Sequence, residues 1–164
     1  MNETTLKPDT IILGERHYEA ALELVIAKAV NELLIFDQDF THGDYSDIER
    51  FNILRDFLSK NPLSKLTIIL QSAEHFVNNC PRLYSLLKLY GHKMTVYETN
   101  DVAKIAKDCF VIADKQHYCR RFHIDQARFK YAFDDETEAA NLQTRFDDLL
   151  DETSEAVSAT KLGL

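Results

Sequence analysis

Between positions 15 and 30 apolar residues recur at Ala21, Leu24, Val25 and Ala29, the three-to-four spacing that lines one face of an α-helix. The unbroken run Leu33, Leu34, Ile35 and Phe36 follows and ends in Asp37, which predicts a strand covered on both faces. Helical spacing returns over 46–60, with Ile48, Phe51, Leu54, Arg55 and Leu58 marking its faces. Ser46 is the expected N-cap, with Glu49 three residues on, and Asn61 and Pro62 stop the helix. A second buried strand is expected over 66–70. A helical stretch over 73–90 then closes at Gly91 and is interrupted or restarted at Pro81, and a third strand covers 94–97. Strand, helix, strand, helix, strand in that order implies right-handed crossovers and parallel pairing.

After Asn100 and Asp101 the rhythm changes. Stretches 108–113 and 118–124 read as strands joined at 114–117, followed by a strand at 129–133, and these edge pieces suit antiparallel pairing. Asp134 is the expected cap of a last helix. Its first turn carries Asp135, Glu136 and Glu138, and Ala139, Leu142, Phe146, Leu149 and Leu150 face the core. The pattern therefore predicts an α/β fold, a mixed and mostly parallel sheet with helices on both faces. One domain is expected over 1–155, with 156–164 as a frayed tail.

At 164 residues the chain has the size of one ordinary domain with one real core. Nineteen basic residues against 27 acidic ones give a net charge of −8, which repels phosphate backbones and acidic lipid and argues against general nucleic-acid binding. The first ten residues lack the basic flank and apolar stretch of a secretory signal, and no apolar run has the length of a membrane span. Cys80, Cys109 and Cys119 are an odd set without a C-x-x-C pair, which fits a reducing compartment, and the expected location is the cytoplasm. Charge is unevenly placed. Lys104, Lys107, Lys115, Arg120, Arg121, Arg128 and Lys130 fall in the hairpin region, whereas the final helix is acidic.

The element order resembles a single phospholipase D-like half over nearly the whole chain. The residues that carry the likeness are the strand ending in Phe36 and Asp37, the strands at 66–70 and 94–97, and the hairpin Phe110, Val111, Ile112, Ala113, Asp114. Phe133, Asp134 and Asp135, leading to Phe146, Asp147, Asp148, Leu149 and Leu150, complete it. It looks most like an uncharacterised bacterial branch of that superfamily, whose members stand alone or beside acetyltransferase domains. Active members carry H-x-K and, four residues on, Asp: the His attacks phosphorus, the Lys neutralises phosphoryl oxygens and the Asp supports the site. Alignment on Asp114 puts Lys107 in the position of the His and Cys109 in that of the Lys. The residues two after the six histidines are Glu19, Asp44, Val77, Met94, Cys119 and Asp125, so H-x-K occurs nowhere. The resemblance also implies a homodimer and an acetyltransferase or other protein as partner.

Four constellations carry possible chemistry, each beside a plainer reading. Asp37, Asp39, His42 and Asp44 follow the first strand, where open α/β sheets bind ligands. They suit a hard metal ion or acid–base work, or else an exposed acidic loop of turn-forming residues. Cys109, His117, Cys119 and His123 are of zinc-ligating type, but their spacing matches no usual zinc site and a small thiol packs well in an apolar strand. Arg120, Arg121 and His123, with Lys115 and Tyr118, suit an anion pocket. Neighbouring strand positions point to opposite faces, so both arginines cannot enter one pocket, and pairing with the acidic last helix is the plainer expectation. Gln71, Ser72 and His75 end the second strand on the rim shared with Asp37, where Ser and His are also common helix starters.

The expected function is a catalytically degenerate domain, needing no cofactor, that binds a partner protein or a small anionic ligand near Asp114 and Arg120. Arg121, Tyr118, Lys107, Asp37, Gln71 and His75 are further candidates for that contact. Two alternatives stay open. One is metal-assisted phosphoester hydrolysis by Asp37, Asp39, His42 or His75. The other is a zinc-stabilised interaction module on Cys109, Cys119 and nearby histidines, including His123.

Overall fold

The computed structural model describes residues 6–157. Eight strands form one sheet in the order β1-β7-β6-β5-β2-β3-β4-β8. At its centre β2 (Glu32–Asp37), β3 (Lys65–Leu70) and β4 (Met94–Thr99) pair in parallel, with Asp37 opposite Leu70 and Leu70 opposite Glu98, so their carboxyl ends lie level. Antiparallel strands flank them. β5 (Cys109–Ala113) pairs with β2 and continues through β6 (His117–His123) and β7 (Gln126–Ala132) to the two-residue β1 (Ile12–Leu13). The mixed α/β sheet read from the sequence is thus observed, but parallel pairing is confined to β2–β3 and β3–β4, and the other five strand pairings are antiparallel, against the mostly parallel sheet expected. Among the described residues no helix is long and apolar enough to cross a membrane.

Alternation along the strands explains the unbroken apolar runs. Leu33 and Ile35 of β2 face a core covered by α1 (Glu15–Lys28), α2 (Ile48–Lys60), α3 (Glu74–Asn79) and α4 (Pro81–Leu89). Leu34 and Phe36 face a second core, where Phe110, Ile112 and Tyr118 meet Ala139, Leu142 and Phe146 of α5 (Glu136–Leu150). Side chains as completely buried as Phe146 contribute about 1.5–3 kcal/mol each through removal of apolar area from water. Coverage is unequal. Four helices pack one face, whereas α5 lies over β4, β5 and β6 on the other, and Ile11 and Leu13 beyond it are 54% and 67% exposed.

Several boundaries differ from expectation for local reasons. Asp47 rather than Ser46 caps α2, its carboxylate accepting from Glu49 N at 2.9 Å. Asp135 rather than Asp134 caps α5, accepting from Glu138 N at 3.1 Å, because Asp134 sits in left-handed backbone at φ 55°. Pro81 does restart the 73–90 stretch, standing at the first turn of α4. β8 (Thr153–Ala156) was not expected, since its exposed polar sequence carries no strand pattern. Main-chain pairing holds it antiparallel to β4, with Asn100 N donating to Glu152 O at 2.8 Å and Val157 N to Val96 O at 2.7 Å. The chain is therefore ordered past the expected boundary at 155, and the rest of the expected tail lies outside the described residues.

Candidate functional site

The carboxyl end of β2 and the start of antiparallel β5 bring a buried acid next to a buried thiol. Asp37 ends β2 at 1% exposure, and its Oδ2 accepts from Phe40 N at 2.7 Å and Asp39 N at 3.3 Å. The Cys109 thiol of β5 also hydrogen-bonds to it. Burial raises the Asp37 carboxyl to about 6, against the pull of these donors. Burial and the neighbouring Asp37 likewise push the Cys109 thiol well up, so the thiolate that nucleophilic or metal-binding chemistry requires is disfavoured. Phe40, next in the turn, is held in left-handed backbone at φ 71°. It stacks on Tyr45 with centroids 4.1 Å apart, and that packing sustains a conformation a bulky residue otherwise avoids.

Next to this pair across the sheet stands a buried ion pair. Arg121 of β6 is 1% exposed and grips Glu15 bidentately, NH1 to Oε1 at 2.7 Å and NH2 to Oε2 at 2.8 Å. NH2 also donates to Ile124 O at 2.7 Å and Nε to His123 O at 3.2 Å, so all three of its nitrogens are engaged. The Arg121 hydrogen bonds draw the Glu15 carboxyl below its ordinary range. His42 stands at the rim, its Nδ1 3.6 Å from Glu15 Oε1. Arg121, expected as a ligand contact, is here paired with α1 and engaged within the chain.

Beside them the strand ends are sealed by the chain itself. Gln71 Nε2 donates to Ala103 O at 2.8 Å and Ala106 O at 2.7 Å, and its Oε1 accepts from Thr99 Oγ1. Gln38 Nε2 reaches Ala106 O and Asp108 O, both at 3.0 Å, and Lys104 Nζ donates to Gln71 O and Thr99 O. Together they pin the 3-10 turn Asp101–Ile105 over the crevice. Gln71, expected at a ligand rim, is spent as a strut, while His75 sits half-buried in the first turn of α3.

The remaining arginine leads to an open groove. Arg120 faces the α5 side, where Asp108, 5% exposed, accepts from Arg120 Nε at 3.2 Å and from both terminal nitrogens of Arg145 on α5. The plainer expectation for Arg120 is thus met in altered form, since it joins α5 through a shared aspartate. Arg120 also lines a groove of about 390 Å³ with Asp9, Ile11, Tyr118, Phe122, Lys130 and Glu138. Phe122 is flanked by two guanidiniums, those of Arg120 and Arg128 at 5.3 and 5.1 Å from its centroid. Burial raises the Tyr118 hydroxyl to about 12, which keeps it a donor.

A family model described as Domain of unknown function (DUF7931) matches residues 14–162. The chain belongs to that family. No protein of curated function matches the sequence. Among solved structures the DUF7931 chain is similar to TrmBL2, an archaeal chromatin protein, at TM-score 0.66 and 12% identity, covering 93% of this chain and 55% of that one. It thus spans about half the length of TrmBL2. It is also similar to Nuc from Salmonella typhimurium, a phospholipase D family member, at TM-score 0.60 and 11% identity over 91% of this chain and 98% of that one. NucT from Helicobacter pylori follows at 0.57 and 18% over 88% and 96%. The DUF7931 chain therefore has a phospholipase D-like fold.

Within that fold the three positions aligned with the superfamily motif separate. Lys107 is exposed on the loop before β5, and Cys109 is buried against Asp37. Asp114 lies at the opposite end of the sheet. Its Oδ1 accepts from Asn31 N at 2.8 Å and Glu32 N at 2.9 Å, and its Oδ2 from Val30 N at 2.9 Å, which fastens the α1–β2 connection. Asp114 thus clasps main chain, and its carboxylate does not share a pocket with Arg120. The metal candidates are not assembled either: among the described residues no group of three or more His, Cys, Asp and Glu is placed to hold an ion. Asp39 accepts from Thr41, His123 stands exposed beside Asp125, and Cys119 is fully buried opposite Val111. Sequence reasoning missed Glu15, Gln38, Asp108, Arg145 and Phe122, and it named Lys130 only within the basic cluster of the hairpin region.

Proposed function

We propose that this domain performs no phosphodiester chemistry and works by binding an anionic group in the groove lined by Tyr118, Arg120 and Lys130. The observation that carries the first half is the state of Cys109. In the clamp position of the motif stands a thiol that is 1% exposed beside Asp37, where burial disfavours its thiolate, while the aligned Lys107 is out in solvent. An active site of that type needs a nucleophile and a cation facing a common space, and neither side chain supplies it. The groove supports the second half. A guanidinium, an ammonium and a phenol line one concavity together with the carboxylates of Asp9 and Glu138, and the donors among them suit carboxylate or phosphoryl oxygens of a small polar ligand.

Incubation of the purified chain with bis(p-nitrophenyl) phosphate, with and without divalent cations, tests the first half. No release of nitrophenol is expected, and turnover that Cys109→Ser or chelation removes would overturn it. Calorimetric titration with inorganic phosphate and with citrate tests the second. Binding that weakens in Arg120→Gln and Lys130→Gln and with added salt is expected, and equal titration of wild type and both variants sinks the groove.

A further inference from the structure

We propose that the cleft between the carboxyl-terminal ends of α1 and α2 is a second binding site, and that it takes a free aliphatic monocarboxylate of about eight carbons. α1 packs against α2 on the face of the sheet away from α5, and their last turns leave a space of about 470 Å³. The buried side chains of Ile26 and Phe57 line it together with Ala27, Ile53 and Val30, the last 56% exposed. The alanines at 27 and 29 leave room that larger side chains would fill. From Ile53 to Lys60 the cleft follows α2 for about 10 Å at the rise of an α-helix, the reach of an extended chain of about eight carbons.

The polar groups at the end of the cleft decide the head group. Asn61 Nδ2 donates to Val30 O at 3.3 Å and Asn31 Oδ1 at 2.8 Å, and its Oδ1 accepts from Leu63 N at 2.9 Å, so this amide is engaged. Lys93 Nζ covers the end of α2, donating to Leu58 O and, at 2.8 Å, to Asn61 O, which shields the carbonyls that would repel an anion there. Lys28 lies over the Phe133 ring, and Asp56 stands 3.8 Å from the Arg55 guanidinium. Lys60 is exposed, lines the cleft and forms no ion pair among the described residues. One free ammonium at the end of an apolar cleft matches one carboxylate. A phosphate or a dicarboxylate would bring a second charge toward Asp56 and two helix carboxyl ends.

Calorimetric titration of the full chain with hexanoate, octanoate, decanoate and 1-octanol, each below its micelle or solubility limit, tests this. The dissociation constant should fall about two- to fourfold per added CH2 up to octanoate and level off at decanoate, whose end leaves the cleft. Lys60→Gln should weaken octanoate about two- to fivefold and leave octanol as it was. Ala27→Phe should abolish binding of both at an unchanged melting temperature, because position 27 is exposed and the ring fills the cleft. Citrate should not compete, since the groove at Tyr118 and Arg120 lies on the other face of the sheet. Absence of saturable octanoate binding, an affinity indifferent to chain length, or octanoate unaffected by Lys60→Gln overturns the proposal, as does a folded Ala27→Phe that binds like wild type. Displacement by citrate also overturns it, by assigning octanoate to the other groove. If Ala27→Phe melts early, the chain-length series and Lys60→Gln decide on their own.

Discussion

Glu15 and Arg121, 106 positions apart in sequence, form a bidentate ion pair that ties the first turn of α1 to β6. The arginine is 1% exposed and the glutamate 44%, so loss of the carboxylate leaves a buried cation without its partner. Glu15→Gln should destabilise the protein by about 1–3 kcal/mol at neutral pH in urea titration, at the lower end if solvent reaches the pair. Arg121 holds the Glu15 carboxyl below its ordinary range, so this contribution is complete above that range and fades as pH falls through the lowered value. The difference between wild type and variant should shrink toward acid, and a constant difference would contradict the pairing.

Asp37 behaves in the opposite sense. Its carboxyl is raised to about 6 by burial, so between about 4 and 6 the unfolded chain releases the proton while the folded chain keeps it, and stability falls as pH rises. Asp37→Asn keeps an oxygen for Phe40 N and removes the buried charge. It should be more stable than wild type by about 1–3 kcal/mol above pH ~6.5 and no different below pH ~4. Thermal melts of both proteins across that span measure it, and a variant less stable at pH 8 would mean that the ionised carboxylate is required.

Asp114→Ala removes three acceptor bonds from the α1–β2 connection and leaves Val30, Asn31 and Glu32 N–H groups unpaired. A loss of about 1–3 kcal/mol is expected. Asp114→Asn should recover part of it, since asparagine tolerates the φ of 55° and still offers one oxygen. Equal urea midpoints for the alanine and wild-type proteins would refute the clasp.

Phe146→Ala should cost about 3–5 kcal/mol and Leu142→Ala about 2–5 kcal/mol, because both side chains lie in the core under α5 at 1% and 3% exposure. Wild-type melting temperatures in these variants would mean that α5 does not dock on β5 and β6.

The central sheet was legible because burial on both faces writes itself as runs such as Leu33 to Phe36, and α5 because Leu142, Phe146 and Leu149 recur at helical spacing. β8 was not, since its pairing with β4 is made by main-chain groups that every sequence possesses. The candidate site was harder for a related reason. Patterning assigns Arg120 and Arg121 to opposite faces, as observed, but cannot say that Glu15 waits on one side and Asp108 on the other. Those partners come from α1 and from the start of β5, and only the tertiary fold brings them together. Asp114 was read as a site residue from its place in a motif, whereas its three hydrogen bonds go to an unrelated loop.

The struts Gln38 and Gln71 that pin the 3-10 turn have a thermodynamic consequence of their own. Primary amides neither gain nor lose protons in water, so the lid over the strand ends holds equally in mild acid and in mild base. Asp37 lies beneath these amide struts, whereas the ion pair of Glu15 and Arg121 beside it does respond to acid. Protonation of Asp37 therefore changes how strongly the domain is folded while the amide struts above it keep their charge state.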